Sequence, residues 1–294
     1  MITDRAGDQL AAADEWTPSQ RQLQREAYRR RRARRSTVIA LASTAVVVGL
    51  LVAGVVGSPG WPRVQQTFFD PVKAVEAFPD VLAGLWLNIR VMLVCAVLIG
   101  VIGLLLAILR TLRGPVAFPF RLLATIYVDL FRGLPLLLVI FLLGFGAPAL
   151  RLQGLPTSVL FWGGAALVLT YSSYVAEVFR AGIESIHPSQ LAAARSLGLS
   201  HVQTLRFVVL PQAVRRVLPP LMNDLVSLQK DSGLIAVLGV IDAIRAAQIA
   251  TATDFNFTPY VVAGALFICL TVPLARLTDW VAKRQGLHTT AGVP

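Results

Sequence analysis

The chain has little of what enzyme active sites are made from. Among its 294 residues are two cysteines and three histidines, with no cysteine pair at zinc spacing and no H-E-x-x-H sequence, so no zinc site is predicted. The G-x-x-x-x-G-K-[ST] loop that binds the phosphates of ATP is missing, and so is the G-x-S-x-G turn of hydrolases. We therefore predict no catalytic residue, no metal site and no cofactor bound by this chain.

Charged residues are also scarce. They make up 15% of the chain, against 55% hydrophobic residues, and the mean hydropathy of +0.67 is typical of a polytopic membrane protein rather than a soluble domain. About six apolar runs are long enough, or nearly so, to cross about 30 Å of hydrocarbon as helices. They are residues 37–57, 87–109, 135–150, 159–178, 217–240 and 259–278. The predicted fold is all-α, a membrane bundle of about six transmembrane helices.

The chain is strongly basic, with a formal net charge of +11. An arginine-rich stretch precedes the first apolar run, and if the runs cross the membrane alternately, nine further basic residues lie on the same side. These residues are Arg110, Arg113, Arg121, Arg195, Arg206, Arg215, Arg216, Lys283 and Arg284. Because basic loops are retained in the cytoplasm, we predict a multi-pass protein of a prokaryotic inner membrane with both termini cytoplasmic.

The arginine-rich stretch is interpreted as an anchor on the anionic lipid of the bilayer. Nucleic-acid binding is the alternative, because Lys and Arg also neutralise nucleic-acid phosphates, but we predict no nucleic-acid partner. Cleavage of the first run as a signal peptide is a second alternative. That run, 37–57, is longer than a usual signal-peptide core and has no convincing A-x-A site, so we interpret it as a retained helix.

A polar and basic stretch, residues 188–211, separates two of the apolar runs. Pro188 suits the first turn of a helix, and Gly198 supplies a residue that ends a helix in the left-handed conformation. Leu191, Ala194 and Leu197 fall three apart on one side of this helix, and its other alanines let a second backbone come close. A second helical piece, about 201–210, is expected to stop at Pro211. A short helix with small residues favours a contact with a partner protein.

The same stretch carries a family resemblance. Its order is Ala192-Ala193-Ala194, three residues, Gly198, nine residues, Val208, one residue and Leu210-Pro211. It resembles the EAA loop of ABC importer membrane subunits, whose pattern is Glu-Ala-Ala, three residues, Gly, nine residues, Ile, one residue and Leu-Pro. Val208 replaces the isoleucine conservatively, and Ala192 stands where the family has its glutamate, which removes one expected polar contact to the ATPase.

Three further segments are similar to permeases for polar amino acids. They are YVDLFRGLP at 127–135, YSSYVAEVFR at 171–180 and LQKDSGL at 228–234, and the likeness extends over about residues 82–283. The resemblance implies a MetI-like permease domain in an ATP-driven ABC importer for polar or charged amino acids. It also implies the partners: two ATPase subunits that bind ATP and Mg²⁺, a second permease subunit that is identical or paralogous, and an extracytoplasmic solute-binding protein.

The apolar runs and the resemblance together give five parts for the chain. They are a basic cytoplasmic tail (1–36), a first transmembrane helix (37–57), an extracytoplasmic connector (58–86), a permease domain (87–284) with a cytoplasmic coupling loop (180–213), and a cytoplasmic tail (285–294). Four prolines in the connector are expected to break any long helix there. Within the permease domain, residues 239–258 are expected to form an outer connection.

The resemblance also implies that the loop transmits movement from the ATPase. We expect Leu191, Ala193, Ala194 and Leu197 to form the docking surface, Gly198 the turn and Pro211 a rigid exit, with Arg195 bonding an ATPase carboxylate. The candidate coupling residues are Leu191, Ala192, Ala193, Ala194, Arg195, Leu197, Gly198, Val208, Leu210 and Pro211.

A polar stripe marks the fifth apolar run. Its polar residues recur at intervals of three and four, which places them on one side of a helix. Because charges in hydrocarbon cost several kcal/mol, the stripe should face the protein interior, a cavity or a partner. With polar residues of the fourth run it gives the candidate translocation path: Tyr171, Ser172, Glu177, Asn223, Asp224, Ser227, Lys230 and Asp231. A purely structural contact between helices or subunits is the alternative.

Two other functions were weighed. A secondary transporter or channel would need acidic residues deep in several spans and an internal inverted repeat, and the sequence has neither. A membrane adaptor whose loop binds a partner but whose helices carry no solute is the other alternative.

Overall fold

The computed structural model describes residues 19–112, 114–151 and 153–285, and in this part every regular element is a helix, as predicted. Arg113, residues 1–18 of the predicted basic tail and residues 286–294 of the other tail lie outside it. The chain divides into two compact units with a boundary between Val64 and Gln65.

The first unit is dominated by one long helix. Helix α1 (Gln20–Val56) begins at Ser19, whose hydroxyl accepts a hydrogen bond from the Gln22 amide at 3.3 Å. Its last 26 residues, Arg31–Val56, include an apolar window of 18 residues and are long enough to cross a membrane. The helix covers the predicted first span and continues it backwards through the arginine-rich stretch.

The other helices follow in chain order. They are α2 (Trp61–Phe68), α3 (Pro71–Thr111), α4 (Phe118–Gly133), α5 (Leu136–Phe141), α6 (Ala147–Ala149), α7 (Val159–Glu184), α8 (Pro188–Ser196), α9 (His201–Thr204), α10 (Leu210–Asp231), α11 (Ala243–Asp254) and α12 (Thr258–Arg284). Two π-helical turns, Leu142–Gly146 and Leu205–Val209, and a 3₁₀ segment, Ser232–Leu238, link some of them.

The expectation that prolines break the connector is wrong. Helix α3 runs for 41 residues with Pro79 inside it. Pro71 lies in its first turn, where a helix needs no amide donor, and Asp70 caps that turn by accepting a hydrogen bond from Val72 N at 2.9 Å. Residues beside Pro79 pack into a buried cluster with α11, and this packing offsets the hydrogen bond that the proline removes.

The predicted fifth span is interrupted. The α-helix ends at Asp231, continues as the 3₁₀ segment and turns at Gly239, whose φ is 85°. Residues 239–258, expected as an outer connection, instead contain α11, whose Ala243 and Ala247 are fully buried. An alanine-rich helix suits this place because small side chains allow close contact with α3.

Four helical stretches of the described residues are long and apolar enough to cross a membrane. They are Arg31–Val56, Trp61–Thr111, Val159–Glu184 and Thr258–Arg284. Two bent pairs, Phe118–Gly133 with Leu136–Ala149 and Arg206–Leu238 with Ala243–Asp254, raise the count to six if each is one span. The prediction of a membrane bundle of about six transmembrane helices is thus confirmed, with four to six candidate spans among the described residues.

The core of the second unit lies where α3, α7 and α10 meet. Its buried side chains include Cys95 and Ile99 from α3, Leu167 from α7 and Leu228 from α10. This core fixes the relative positions of α7 and α10, the two helices on either side of the candidate coupling loop.

Candidate functional site

The candidate coupling loop folds into the predicted helix. Pro188 lies in the first turn of α8, and the His187 ring nitrogen Nδ1 accepts a hydrogen bond from the Ser189 amide at 3.2 Å. Gly198 has a φ of 78°, the left-handed conformation predicted for it. The Leu199 amide then donates to the Ala194 carbonyl at 3.1 Å, which closes the end of the helix.

The residues expected in the docking surface do not all face outward. Leu197 is 81% exposed and Ala193 is also exposed, whereas Ala194 is only 3% exposed and Leu191 is half-buried. Ala194 therefore packs inward, and α8 contacts the two segments that follow it, α9 and the π turn Leu205–Val209. The exposed side of α8 is made by Ala192, Ala193, Arg195, Ser196 and Leu197.

The expectation that the second helical piece stops at Pro211 is wrong. The chain passes from α9 through the π turn Leu205–Val209 directly into α10, with Pro211 in the first turn of α10. A proline has no amide hydrogen to donate to the preceding turn, and the wider π turn accommodates that loss without ending the helix. Val208 is half-buried and Leu210 is exposed.

Two contacts join the base of the loop. The Arg216 guanidinium on α10 donates a hydrogen bond to the carbonyl oxygen of Ser185, the residue that follows α7. Gly182 of α7 lies so close to Val217 of α10 that a Cβ at residue 182 would overlap the valine side chain. These two contacts join α7 and α10, the helices on either side of the loop, directly to each other.

A cluster of ion pairs lies just before the loop. The Glu177 carboxylate is 2.6 Å from Arg110, 2.7 Å from Arg180 and 3.4 Å from Arg132. Arg180 also contacts Glu184 at 2.5 Å. Glu177 was predicted in the translocation path, and the structure instead places it where α3, α4 and α7 are held together by charge.

The structure brings Tyr171 and Asp224, two of the predicted path residues, to one cavity. Both line a cavity of ≈ 200 Å³ between α3, α7 and α10 whose other walls are apolar. The Tyr171 hydroxyl donates to the Asp231 carboxylate at 2.7 Å. Asp224 Oδ2 is buried and has no hydrogen-bond partner among the described residues. A carboxylate oxygen in such a place can accept a hydrogen bond from a cationic or hydroxyl group.

The other predicted path residues are spread over different surroundings. Ser172 is fully buried, Ser227 is half-buried, and Asn223 and Lys230 are exposed. The stripe on α10 therefore has one edge at the cavity and another on the outside of this chain.

Two polar contacts between helices were not predicted from the sequence. Asn88 Nδ2 donates to the Asp242 carboxylate at 3.0 Å, and the Thr271 hydroxyl donates to Gln229 Oε1 at 2.6 Å. The sequence does contain a signal for these contacts, because Asn88 and Gln229 are amide side chains within apolar runs. Such a group is expected to have a partner on another helix.

The family profile described as "Binding-protein-dependent transport system inner membrane component" matches residues 101–286, more than half of the chain. This chain belongs to that family. The predicted identification as an ABC importer permease is confirmed, so ATP hydrolysis lies on a separate subunit. Membership also implies, in general terms, ATPase and binding-protein partners for this permease.

Relatives cover most of the permease. The "Probable glutamine ABC transporter permease protein GlnM" of Bacillus subtilis (strain 168) is 35% identical over 187 residues, 63% of this permease and 83% of the relative. The "Arginine transport system permease protein ArtQ" of the same strain is 32% identical over 217 residues, 73% of this permease and 96% of the relative.

Solved structures agree with the fold. "Crystal structure of an amino acid ABC transporter with histidines" has a TM-score of 0.67 at 30% identity and covers 73% of the permease and 98% of the solved chain. An inward-facing structure of the MetNI methionine ABC transporter, at 18% identity and a TM-score of 0.55 over 70% of the permease and 95% of its own chain, shares the fold alone. The predicted MetI-like fold is thus confirmed.

Proposed function

We propose that this permease carries a polar or charged amino acid across the inner membrane and that α8 couples the transport to ATP hydrolysis. The observation that carries the proposal is the double connection at the base of the loop, Arg216 to Ser185 and Gly182 to Val217. The amino-acid class is supported by the relatives, whose names refer to glutamine and arginine.

The proposed assembly has two such membrane subunits, which are copies or paralogues, above two ATPase subunits that bind ATP and Mg²⁺. An extracytoplasmic solute-binding protein delivers the substrate from outside. Both termini and the coupling loop then face the cytoplasm, in agreement with the distribution of Lys and Arg in the sequence.

In this proposal the exposed side of α8 lies in a groove on an ATPase subunit. Leu197 supplies the large apolar contact, while Ala192 and Ala193 let the groove come close to the helix backbone. When the ATPase subunits close on ATP, they displace α8. The contacts at the base of the loop pass that displacement to α7 and α10, which tilt and switch the path between inward and outward access.

The cavity between α3, α7 and α10 is the proposed point of contact with the substrate. Every amino acid carries a cationic ammonium group, and Asp224 offers a buried carboxylate oxygen to receive it. Tyr171 lies on α7 and Asp231 on α10, so tilting these two helices would change the shape of the site.

Transport into proteoliposomes tests this function. Radiolabelled glutamine and arginine are offered to vesicles that contain either the permease alone or the permease with its ATPase and binding-protein partners. We expect ATP-dependent uptake of at least one of them by the complete assembly and none by the permease alone. Robust flux without an ATPase would contradict the coupling role and favour a channel or a secondary transporter.

A further inference from the structure

A second cavity, of ≈ 270 Å³, lies beside the ion-pair cluster. Three arginines on three different helices line it: Arg110 at the end of α3, Arg121 on α4 and Arg180 on α7. Its remaining wall is formed by Glu184 and by one side of α4. The cavity is next to the coupling loop, since Glu184 is the last residue of α7.

The positive charge around this cavity is only partly compensated. The guanidinium groups of Arg110, Arg132 and Arg180 meet the carboxylates of Glu177 and Glu184. These two carboxylates cannot neutralise the three arginines together with Arg121, so two positive charges remain. An anion is therefore the complementary ligand.

Arg121 is the arginine most available to such a ligand. It donates to the Leu112 carbonyl at 3.3 Å, and its guanidinium lies 5.6 Å from the centre of the Phe118 ring. Within the part of the chain that the structure describes, it forms no ion pair with a carboxylate. Its remaining N–H donors have the planar arrangement that binds two phosphate oxygens at once.

The wall formed by α4 adds an apolar surface. Phe118 and Leu122 line the cavity and are also 53% and 46% exposed. Leu123 and Ile126 continue the exposed apolar surface along the same helix. A small inorganic anion would leave this surface uncovered, whereas a lipid with an anionic head group would cover it with an acyl chain.

We propose that this cavity binds the phosphate of an anionic phospholipid, with the acyl chain lying on α4. The lipid comes from the leaflet on the side of the coupling loop. Its phosphate links the ends of α3, α4 and α7 and compensates the excess positive charge. The proposal goes beyond transport, since lipid binding requires neither nucleotide nor substrate.

Lipid retention tests the proposal without ATP. The full chain, with the subunits that it retains, is purified from micelles containing equal amounts of phosphatidylglycerol and phosphatidylcholine, and bound lipid is measured by native mass spectrometry. We expect preferential retention of phosphatidylglycerol. Arg121→Gln should reduce it about fivefold, the loss of roughly 1 kcal/mol that one basic residue contributes near an anionic lipid surface.

Arg276→Gln is the matched control, because Arg276 is 80% exposed on α12 and its replacement removes the same charge. It should leave lipid retention unchanged. Equal losses in both variants would show a general surface effect and overturn the proposal. Equal retention of the two lipids by the unaltered chain, or displacement of phosphatidylglycerol by millimolar inorganic phosphate, would overturn it too.

A second variant, Leu122→Gln, tests the proposal independently if Arg121→Gln does not fold. Leu122→Gln changes the apolar wall and leaves every arginine in place. Retained phosphatidylglycerol should fall in this variant as well, and unchanged retention would contradict the position proposed for the acyl chain. Neither result depends on whether α8 binds an ATPase, so failure here is distinguishable from failure of the proposed function.

Discussion

The two ends of the second unit are stabilised by different kinds of contact. Near the coupling loop, α3, α4 and α7 are joined by ion pairs around Glu177, and Arg132 and Arg180 in this cluster are partly exposed. At the opposite end, α3 and α11 are joined by Asn88 and Asp242, which are 1% and 0% exposed. Asn88 Nδ2 donates to the Asp242 carboxylate, and the Ala243 amide donates to Asn88 Oδ1 at 3.2 Å.

This difference indicates which end can move. Arg110 and Glu177 are only 12% and 18% exposed, but the ion pairs of Arg132 and Arg180 are partly exposed. Such outer pairs contribute little net stability and rearrange at low cost, because water replaces the lost contacts. A buried hydrogen-bonded carboxylate is costly to separate from its partner, because no water takes the partner's place. In the proposed coupling, the end at α11 would stay fixed while the end near the loop moves with α8.

The largest expected effect comes from breaking the buried end. Asn88→Ala leaves the Asp242 carboxylate without its amide donor and should reduce the free energy of unfolding by about 3 kcal/mol. Thermal unfolding in detergent, followed by intrinsic fluorescence, measures the change. Gln248→Ala is the control, because Gln248 is exposed on α11 and its side chain accepts a hydrogen bond from the Arg245 guanidinium at 2.6 Å, whose loss should cost less than about 1 kcal/mol. Similar losses in both variants would remove the contrast between the two ends.

The next effect is on coupling at the moving end. A side chain at the left-handed position of Gly198 costs about 1 to 2 kcal/mol, so Gly198→Val should change the direction in which the chain leaves α8. We expect uptake to fall about tenfold while ATP hydrolysis and membrane insertion continue. Gly264→Val is the control, since Gly264 has no close neighbour and an ordinary helical φ. Normal uptake by the Gly198 variant would show that the loop does not couple the two activities.

A smaller effect is expected at the base of the loop. Arg216→Gln removes the guanidinium that bonds the Ser185 carbonyl. The loss of one hydrogen bond, about 0.5 to 1.5 kcal/mol, should lower the amount of substrate carried per ATP by roughly two- to tenfold. Arg215→Gln removes the same charge from the neighbouring exposed residue and should leave this ratio unchanged. If the two variants lower this ratio equally, the loss comes from the change in net charge and not from the broken contact between Arg216 and Ser185.

The smallest effect is expected at Ala192, which stands where the EAA loop of ABC importers has a glutamate. We expect a paralogous partner subunit to supply the missing polar contact, so Ala192→Glu should change substrate-stimulated ATP hydrolysis by less than about twofold. Hydrolysis is measured on the reconstituted assembly with and without substrate. A large gain in stimulation would mean that this subunit is weakened and not compensated.

Several features of the coupling loop were predictable because they are local. Pro188 suits a first helical turn wherever it occurs, and Gly198 adopts the left-handed conformation at low cost because it has no Cβ. The apolar runs were predictable for a similar reason. A backbone in hydrocarbon has to satisfy its own hydrogen bonds, so long apolar segments form helices.

Other features depend on residues that are far apart in the chain. Glu177 lies 67 positions from Arg110, and no pattern around either residue indicates that they form an ion pair. The burial of Ala194 depends on how the loop folds back on itself, and the tolerance of Pro79 depends on the packing of α11 against α3. Local sequence therefore decided that the long apolar runs are helical and how α8 begins and ends. The packing of distant helices decided which side chains face the outside, the cavities and the core, because burial is a property of neighbours that only the folded chain brings together.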